Sequence, residues 1–124
     1  MNQFEHAEQV TLMQWWQLVH KQFGIPEQLL FAIPNGGLRN IIVAKRLKAE
    51  GVRSGVPDIF LAYPSRRRCG LFIEMKKVKG GRVSGNQKSL MEDLNKSGYL
   101  AVVCHGWTEA KAAIERYLRD REEI

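Results

Sequence analysis

Asp58, Glu74 and Lys76 are the residues whose types and spacing could do chemistry in this chain. Glu74 and Lys76 stand two apart in the apolar run Leu71-Phe72-Ile73-Glu74-Met75-Lys76. That run reads as a strand, so both side chains project from one face. Asp58 begins a second apolar run, ending at Tyr63, and only the turn PSRRRCG separates the two. So short a connection predicts an antiparallel hairpin with Asp58 beside Glu74 and Lys76. A carboxylate buried without a partner costs several kcal/mol, so such a pair needs the lysine, a metal ion, or both. Hard carboxylate oxygens with no Cys/His cluster nearby select Mg2+ or Mn2+ over zinc. An activated water, a metal on a phosphoryl oxygen and a cation at the transition state are the parts of phosphodiester hydrolysis. The pattern equally fits a plain Glu74–Lys76 ion pair at the end of an edge strand.

The elements that must position these residues are legible from periodicity. Residues 5–23 predict a helix with Val10, Leu12, Met13, Trp15, Trp16, Val19 and Phe23 at spacings of three and four, ended by Gly24 and Pro26. Leu29 to Ile33 predicts a strand, and Asn40 to Glu50 a second helix with Ile41, Ala44 and Leu47 on its apolar face. After the hairpin comes the glycine-rich stretch VKGGRVSG. A helix then runs to about Lys96, capped by Ser84 or Asn86, with Leu90, Met91 and Leu94 inward. Tyr99 to Cys104 predicts the last strand. Thr108 is placed to cap a final helix over 109–119, with Ala112, Ile114, Tyr117 and Leu118 on its apolar side. The order α-β-α-β-β-α-β-α predicts an α/β fold with a mixed sheet flanked by helices, in a single domain over 1–124.

Composition narrows the function classes. The chain has 124 residues, 44% hydrophobic and 26% charged, which suits one globular domain rather than a disordered segment. It carries no apolar run of the roughly 20 residues that span a bilayer and no signal-like N-terminus, so a cytoplasmic, non-membrane protein is expected. Two cysteines, Cys69 and Cys104, make neither a disulfide framework nor a zinc site, and buried thiols suit a reducing compartment. The formal net charge is +6. Residues 1–62 contribute only +1, whereas Arg66, Arg67, Arg68, Lys76, Lys77, Lys79, Arg82 and Lys88 lie in one stretch with a single acid, Glu74. This run is read as a surface for nucleic-acid phosphates flanking the carboxylate pair.

Longer strings carry a resemblance. The dipeptide Pro57-Asp58, the apolar strand after it, and Ile73-Glu74-Met75-Lys76 resemble the PD…(D/E)xK signature of restriction-endonuclease-like nucleases. With IPNGG at 33–37, LKAEGVRSGVPDIFL at 47–61, LFIEMK at 71–76 and SGNQKSLMEDLNKSGYLAVVC at 84–104, the chain is similar to the VRR-NUC (virus-type replication-repair nuclease) family in its short stand-alone form. The resemblance implies a restriction-endonuclease-like core. It implies Asp58, Glu74 and the Met75 carbonyl as ligands of Mg2+ or Mn2+. Lys76 would orient or deprotonate the attacking water, and Gln87 would hold the lysine or the water. It also implies a glutamate on the first helix, for which Glu5 (paired with Gln9 one turn on) fits better, while Glu8 stays open.

The remaining candidates are weighed by spacing. Pro34-Asn35-Gly36-Gly37 makes a turn, with DNA contact through Asn35 and Arg39 as the alternative. GGRVSG at 80–85 lacks the lysine and following helix of a nucleotide-binding loop, and is either an idle or a DNA-contacting loop. His6, His20 and His105 are too scattered for a ligand set and read as surface or capping groups. Trp15 and Trp16 are adjacent, so one of them is expected at a subunit contact, and Trp107 in the core or an interface. The resemblance implies a metal-dependent DNA endonuclease, most simply a homodimer that resolves four-way (Holliday) junctions, since symmetric cutting needs two sites about a two-fold axis. A flap nuclease on the same fold and a catalytically idle DNA-binding module are the alternatives. A stand-alone chain suits phage or prophage origin.

Overall fold

Leu12 and Trp16, one helical turn apart, are fully buried and set which face of the first helix turns inward. That helix, α1, spans Gln3–Val19 and tightens into a 3-10 turn at His20–Phe23. Gly24 ends it with φ +72°, its N–H returning to the Lys21 carbonyl at 3.0 Å. The computed structural model describes residues 3–34 and 41–120. A second 3-10 turn at Glu27–Leu29 leads into β1 (Leu30–Ala32), followed by α2 (Ile41–Ala49), β2 (Ile59–Leu61), β3 (Leu71–Lys76), α3 (Gly85–Lys96), β4 (Leu100–His105) and α4 (Trp107–Arg119). The expected α/β order is present.

The strands lie in the order β1-β2-β3-β4, with both pairs at the β1 side antiparallel and β3–β4 parallel. The mixed sheet follows from connection length. A short turn reverses β2 into β3, whereas a parallel return to β4 requires the crossover that α3 provides. Strand alternation then gives the sheet two distinct faces. Leu71, Ile73 and Met75 join Leu12, Trp16, Ile114, Tyr117 and Leu118 of α1 and α4 in the apolar core. Phe72, Glu74 and Lys76 turn to the other face, where Phe31, Phe60, Phe72 and Tyr99 form a chain of ring contacts across the strands.

The structure corrects several expectations. Val10 is exposed, because the inward stripe of α1 runs through Leu12 and Trp16. On α2, Leu47 is half-buried as expected, but Ile41 and Ala44 are exposed and Val43 takes the other half-buried position, one helical turn before Leu47. Helix α4 begins two residues earlier than Thr108 predicts, with Gly106 at the cap position. Its open first turn is satisfied from a distance: the Trp107 N–H donates to Glu8 Oε2 at 2.8 Å. A carboxylate at this end of a helix also meets the positive end of its dipole. Trp15 is half-buried. It packs on the core beside Trp16 and Phe23, with the Lys111 ammonium over its ring and over that of Trp107. Cys104 is buried as expected, but Cys69 is exposed in the β2–β3 turn.

Glu8 therefore joins α1 to α4 as a helix cap. Glu8→Ala should cost about 1 kcal/mol of stability, the ordinary value of a lost cap. Denaturant unfolding checks this, and an unchanged midpoint would show that the contact contributes nothing.

Candidate active site

The site forms where β2 begins and β3 ends. Continuing the antiparallel register past Ile59↔Ile73 sets Asp58 opposite Glu74, so the two carboxyl groups share one face. The Asp58 backbone is held by the Ile33 N–H, which donates to its carbonyl at 2.7 Å. Asp58 Oδ2 accepts from the Met75 N–H at 2.8 Å. Pro57 bears on the Met75 carbonyl rather than on that bond. In the continued register it would face Met75, but proline has no N–H to offer the ladder. No Pro57 N–H therefore competes for the Met75 carbonyl, while the Met75 N–H is taken by the Asp58 carboxylate.

Lys76 and Gln87 complete the constellation. Glu74 is only 4% exposed, the one charged residue among the buried residues described. Its Oε2 lies 3.4 Å from Lys76 Nζ and accepts from Gln87 Nε2 at 2.9 Å. Gln87 Oε1 in turn accepts from Lys76 Nζ at 3.2 Å. Gln87 is fixed at the start of α3 by a capping box. Ser84 Oγ accepts from the Gln87 N–H at 3.1 Å, and the Ser84 N–H donates to Gln87 Oε1 at 2.9 Å. One glutamine thus caps its own helix and bridges the carboxylate to the lysine.

A second tie holds the loop before Asp58. Asn86 Nδ2 donates to Ser54 Oγ at 2.9 Å. Gly55, at φ +87°, approaches the α3 backbone so closely that a Cβ would fall 2.7 Å from the Asn86 carbonyl carbon. Sequence reading offered Asn86 only as a helix cap and did not single out Ser54 or Gly55. Their only signals were the glycine before Val56-Pro57-Asp58 and the asparagine beside Gln87.

The electrostatics follow from crowding. Burial pushes the Glu74 carboxyl up to about 7, and the neighbouring Asp58 charge adds to the shift against the opposing pull of Lys76. Burial also raises Asp58, offset in part by the Met75 N–H and by Lys76, with the Glu5 charge contributing in the upward direction. Glu5 therefore lies within electrostatic reach of Asp58, whereas Glu8 is engaged at α4. Gln9, one turn beyond Glu5, has a buried side-chain oxygen without a hydrogen-bond partner.

Among the described residues no group of three or more His, Cys, Asp or Glu side chains gathers to hold a metal. The oxygen donors at hand are the carboxyl groups of Asp58 and Glu74, with the Met75 carbonyl beside them. Two crowded acids that resist ionising together suit a hard divalent cation by their chemistry. The histidines are used elsewhere. His20 Nδ1 lies 2.8 Å from the Ile25 carbonyl, and His105 Nδ1 lies 3.0 Å from the Lys77 carbonyl.

The basic run does not flank the pair as a unit. Arg66, Arg67 and Arg68 sit in the β2–β3 turn, at the opposite end of the hairpin from Asp58 and Glu74. Lys77, Lys79 and Arg82 follow β3 directly, and Lys88 lies in the first turns of α3, at the carboxylate end. The sequence interval is short, but β3 separates its two halves. Asn35 and Arg39 lie outside the described residues.

The VRR-NUC domain family model matches residues 3–108, a span holding Asp58, Glu74, Lys76 and Gln87. The chain is also similar to a solved structure described as a VRR_NUC domain protein. That structure is 26% identical, with a TM-score of 0.82, covering 97% of this chain and 92% of that one. No curated protein matches it.

The raised carboxyl pair has a measurable consequence. A group whose folded pKa lies above its unfolded value stabilises the fold fully below the unfolded pKa and loses that contribution as pH rises through the folded one. With Glu74 moving from 4.5 to about 7, the protein in chelator-containing buffer should lose on the order of 3 kcal/mol between pH 4.5 and pH 8. Thermal melts should show a falling midpoint over this window, and Glu74→Gln should flatten it. A wild-type midpoint constant or rising from pH 5 to pH 8 would contradict the assignment.

Proposed function

The chain belongs to the VRR-NUC domain family, a nuclease-type domain, and from that premise we propose that it is an Mg2+- or Mn2+-dependent endodeoxyribonuclease. The observation that carries this reading is the buried Glu74 beside the half-buried Asp58, with Lys76 held against it by Gln87. A plain ion pair needs one acid, and a second acid crowded against a buried one is destabilising unless a cation joins them.

Asp58, Glu74 and the Met75 carbonyl would hold the metal. When bound it supplies charge neutralisation at a phosphoryl oxygen and acidifies a coordinated water. The remaining work falls to the protein. Lys76, restrained by Glu74 and Gln87, orients the attacking water and offsets negative charge developing on the phosphorus oxygens. The water oxygen bonds to phosphorus as the bond to the leaving sugar oxygen breaks, the water's proton passing to solvent and the leaving oxygen taking a proton from solvent. Gln87 keeps the Lys76 ammonium on the Glu74 side of the site, limiting its freedom before DNA arrives. Lys77, Lys79, Arg82 and Lys88 contact the phosphate backbone on either side of the cut, which positions the duplex without reading its sequence.

The substrate we propose is a four-way junction cut by a homodimer. One such site cuts one strand, so paired symmetric cuts require two copies about a two-fold axis. Exposed apolar side chains support self-association: Phe4 and Leu18 on α1, and Ile41 and Ile42 on α2, are 67–81% exposed. Isolated chains seldom leave such surface uncovered in quantity.

One panel tests both parts: four-way junction, flap and linear duplex, each with Mg2+, Mn2+ or chelator. Cleavage should be metal-dependent and fastest on the junction, and Asp58→Ala should lower the rate at least about a thousandfold. Solution mass should be twice that of the chain. Salt-sensitive binding to every substrate, with cleavage of none, would identify an idle DNA-binding module instead.

A further inference from the structure

The Arg66–Arg67 apex is built more firmly than a solvated turn requires. The third arginine of the triplet, Arg68, is turned inward, where its guanidinium donates to the Tyr99 carbonyl at 2.8 Å and the Asn95 carbonyl at 3.3 Å. The Ser65 N–H donates to the Arg68 carbonyl at 3.0 Å and to the Tyr117 hydroxyl at 3.2 Å. The Tyr117 hydroxyl donates to the Tyr63 carbonyl at 2.8 Å, and the Cys69 N–H donates to the Gly98 carbonyl at 2.8 Å. The turn is therefore fastened to α4 and to the α3–β4 connection, with Arg66 and Arg67 exposed at its apex.

The surroundings are basic. The ends of the helices that meet this turn carry exposed Lys96 on α3 and Arg116 and Arg119 on α4. The acids on those ends are Glu92, Asp93, Glu115 and Asp120. Among the described residues, neither Arg66 nor Arg67 forms an ion pair. β3 carries the chain roughly 17 Å, at about 3.3 Å per residue, from Leu71, where the turn ends, to Lys76. That is about five phosphates along one DNA strand.

We propose that Arg66 and Arg67 form a second phosphate-binding surface, which grips DNA backbone at a segment other than the one being cut. The inference rests on the nuclease reading for its ligand, duplex DNA backbone, but not for its geometry. Two guanidinium groups on a pre-ordered turn lose little conformational freedom when they meet phosphates. A contact one strand-length from Lys76 lets the protein hold a second arm of a branched molecule, or the duplex beyond the cut.

The test is binding by fluorescence anisotropy in chelator, from 50 to 200 mM salt, on a four-way junction and a linear duplex. Cleavage with Mg2+ is measured in parallel. Arg66→Ala/Arg67→Ala should lower affinity roughly tenfold and reduce the slope of log affinity against log salt by about 2. Arg66→Lys/Arg67→Lys should restore most of both, because a phosphate contact needs charge. Unchanged affinity and slope in the alanine variant overturn the proposal, as does a loss that lysine fails to restore. The two readings fail differently. If the nuclease reading is wrong, the wild type cuts nothing, yet the binding difference remains. If only the second surface is wrong, the wild type cuts and the alanine variant binds alike.

Discussion

Two acids forced together in a place with little water govern this structure. Asp58 and Glu74 face each other because β2 and β3 are antiparallel neighbours in a fixed register. A shift of one residue would turn Glu74 into the apolar core beside Leu12 and Trp16 and would turn Ile73 toward α3. The cost of this juxtaposition appears as the raised carboxyl pair. Much of the local architecture works against that cost. The Met75 N–H serves Asp58, Lys76 and Gln87 serve Glu74, and the Ser84 capping box holds Gln87 in place.

The same economy explains the small residues around the site. Pro57 withholds an N–H where the ladder would otherwise continue, and this spares the Met75 carbonyl that ladder bond. Gly55 permits the loop before Asp58 to lie against the first turn of α3. That contact couples the position of Asp58 to the position of Gln87, although 29 residues separate them in the chain. The carboxylates and the residues that restrain them thus form one unit spanning three elements.

The helices, the strands and their order were legible because each carries its own period. LFIEMK reads as a strand and is one, and Ser84 reads as a cap and is one. Legibility failed where the deciding partner is remote. Nothing near Thr108 signals that Glu8, 99 residues away, receives the first N–H of α4. Trp15 and Trp16 could not be assigned from spacing, since their packing depends on Phe23 and on Lys111 of another helix. The face of α2 was right at Leu47 and wrong at Ile41 and Ala44, because a short helix with weak amphipathicity leaves the choice to its neighbours.

What the sequence by itself determined is the chemistry at hand: two acids, a lysine and a glutamine in strings that identify a nuclease-type family, with alternation placing Glu74 and Lys76 on one face. Alternation is a local rule, set by the backbone of a single strand, and it survives without knowledge of the rest. Only the tertiary structure decided which charges act together. The basic run looks continuous from Arg66 to Lys88, but β3 carries the chain from one end of the sheet to the other inside it. Arg66 and Arg67 therefore stand apart from the carboxylates, Arg68 is spent on holding its own turn, and the lysines after β3 remain at the site. Charge acts through space, and an extended strand converts a few residues of sequence into a separation that screening largely divides.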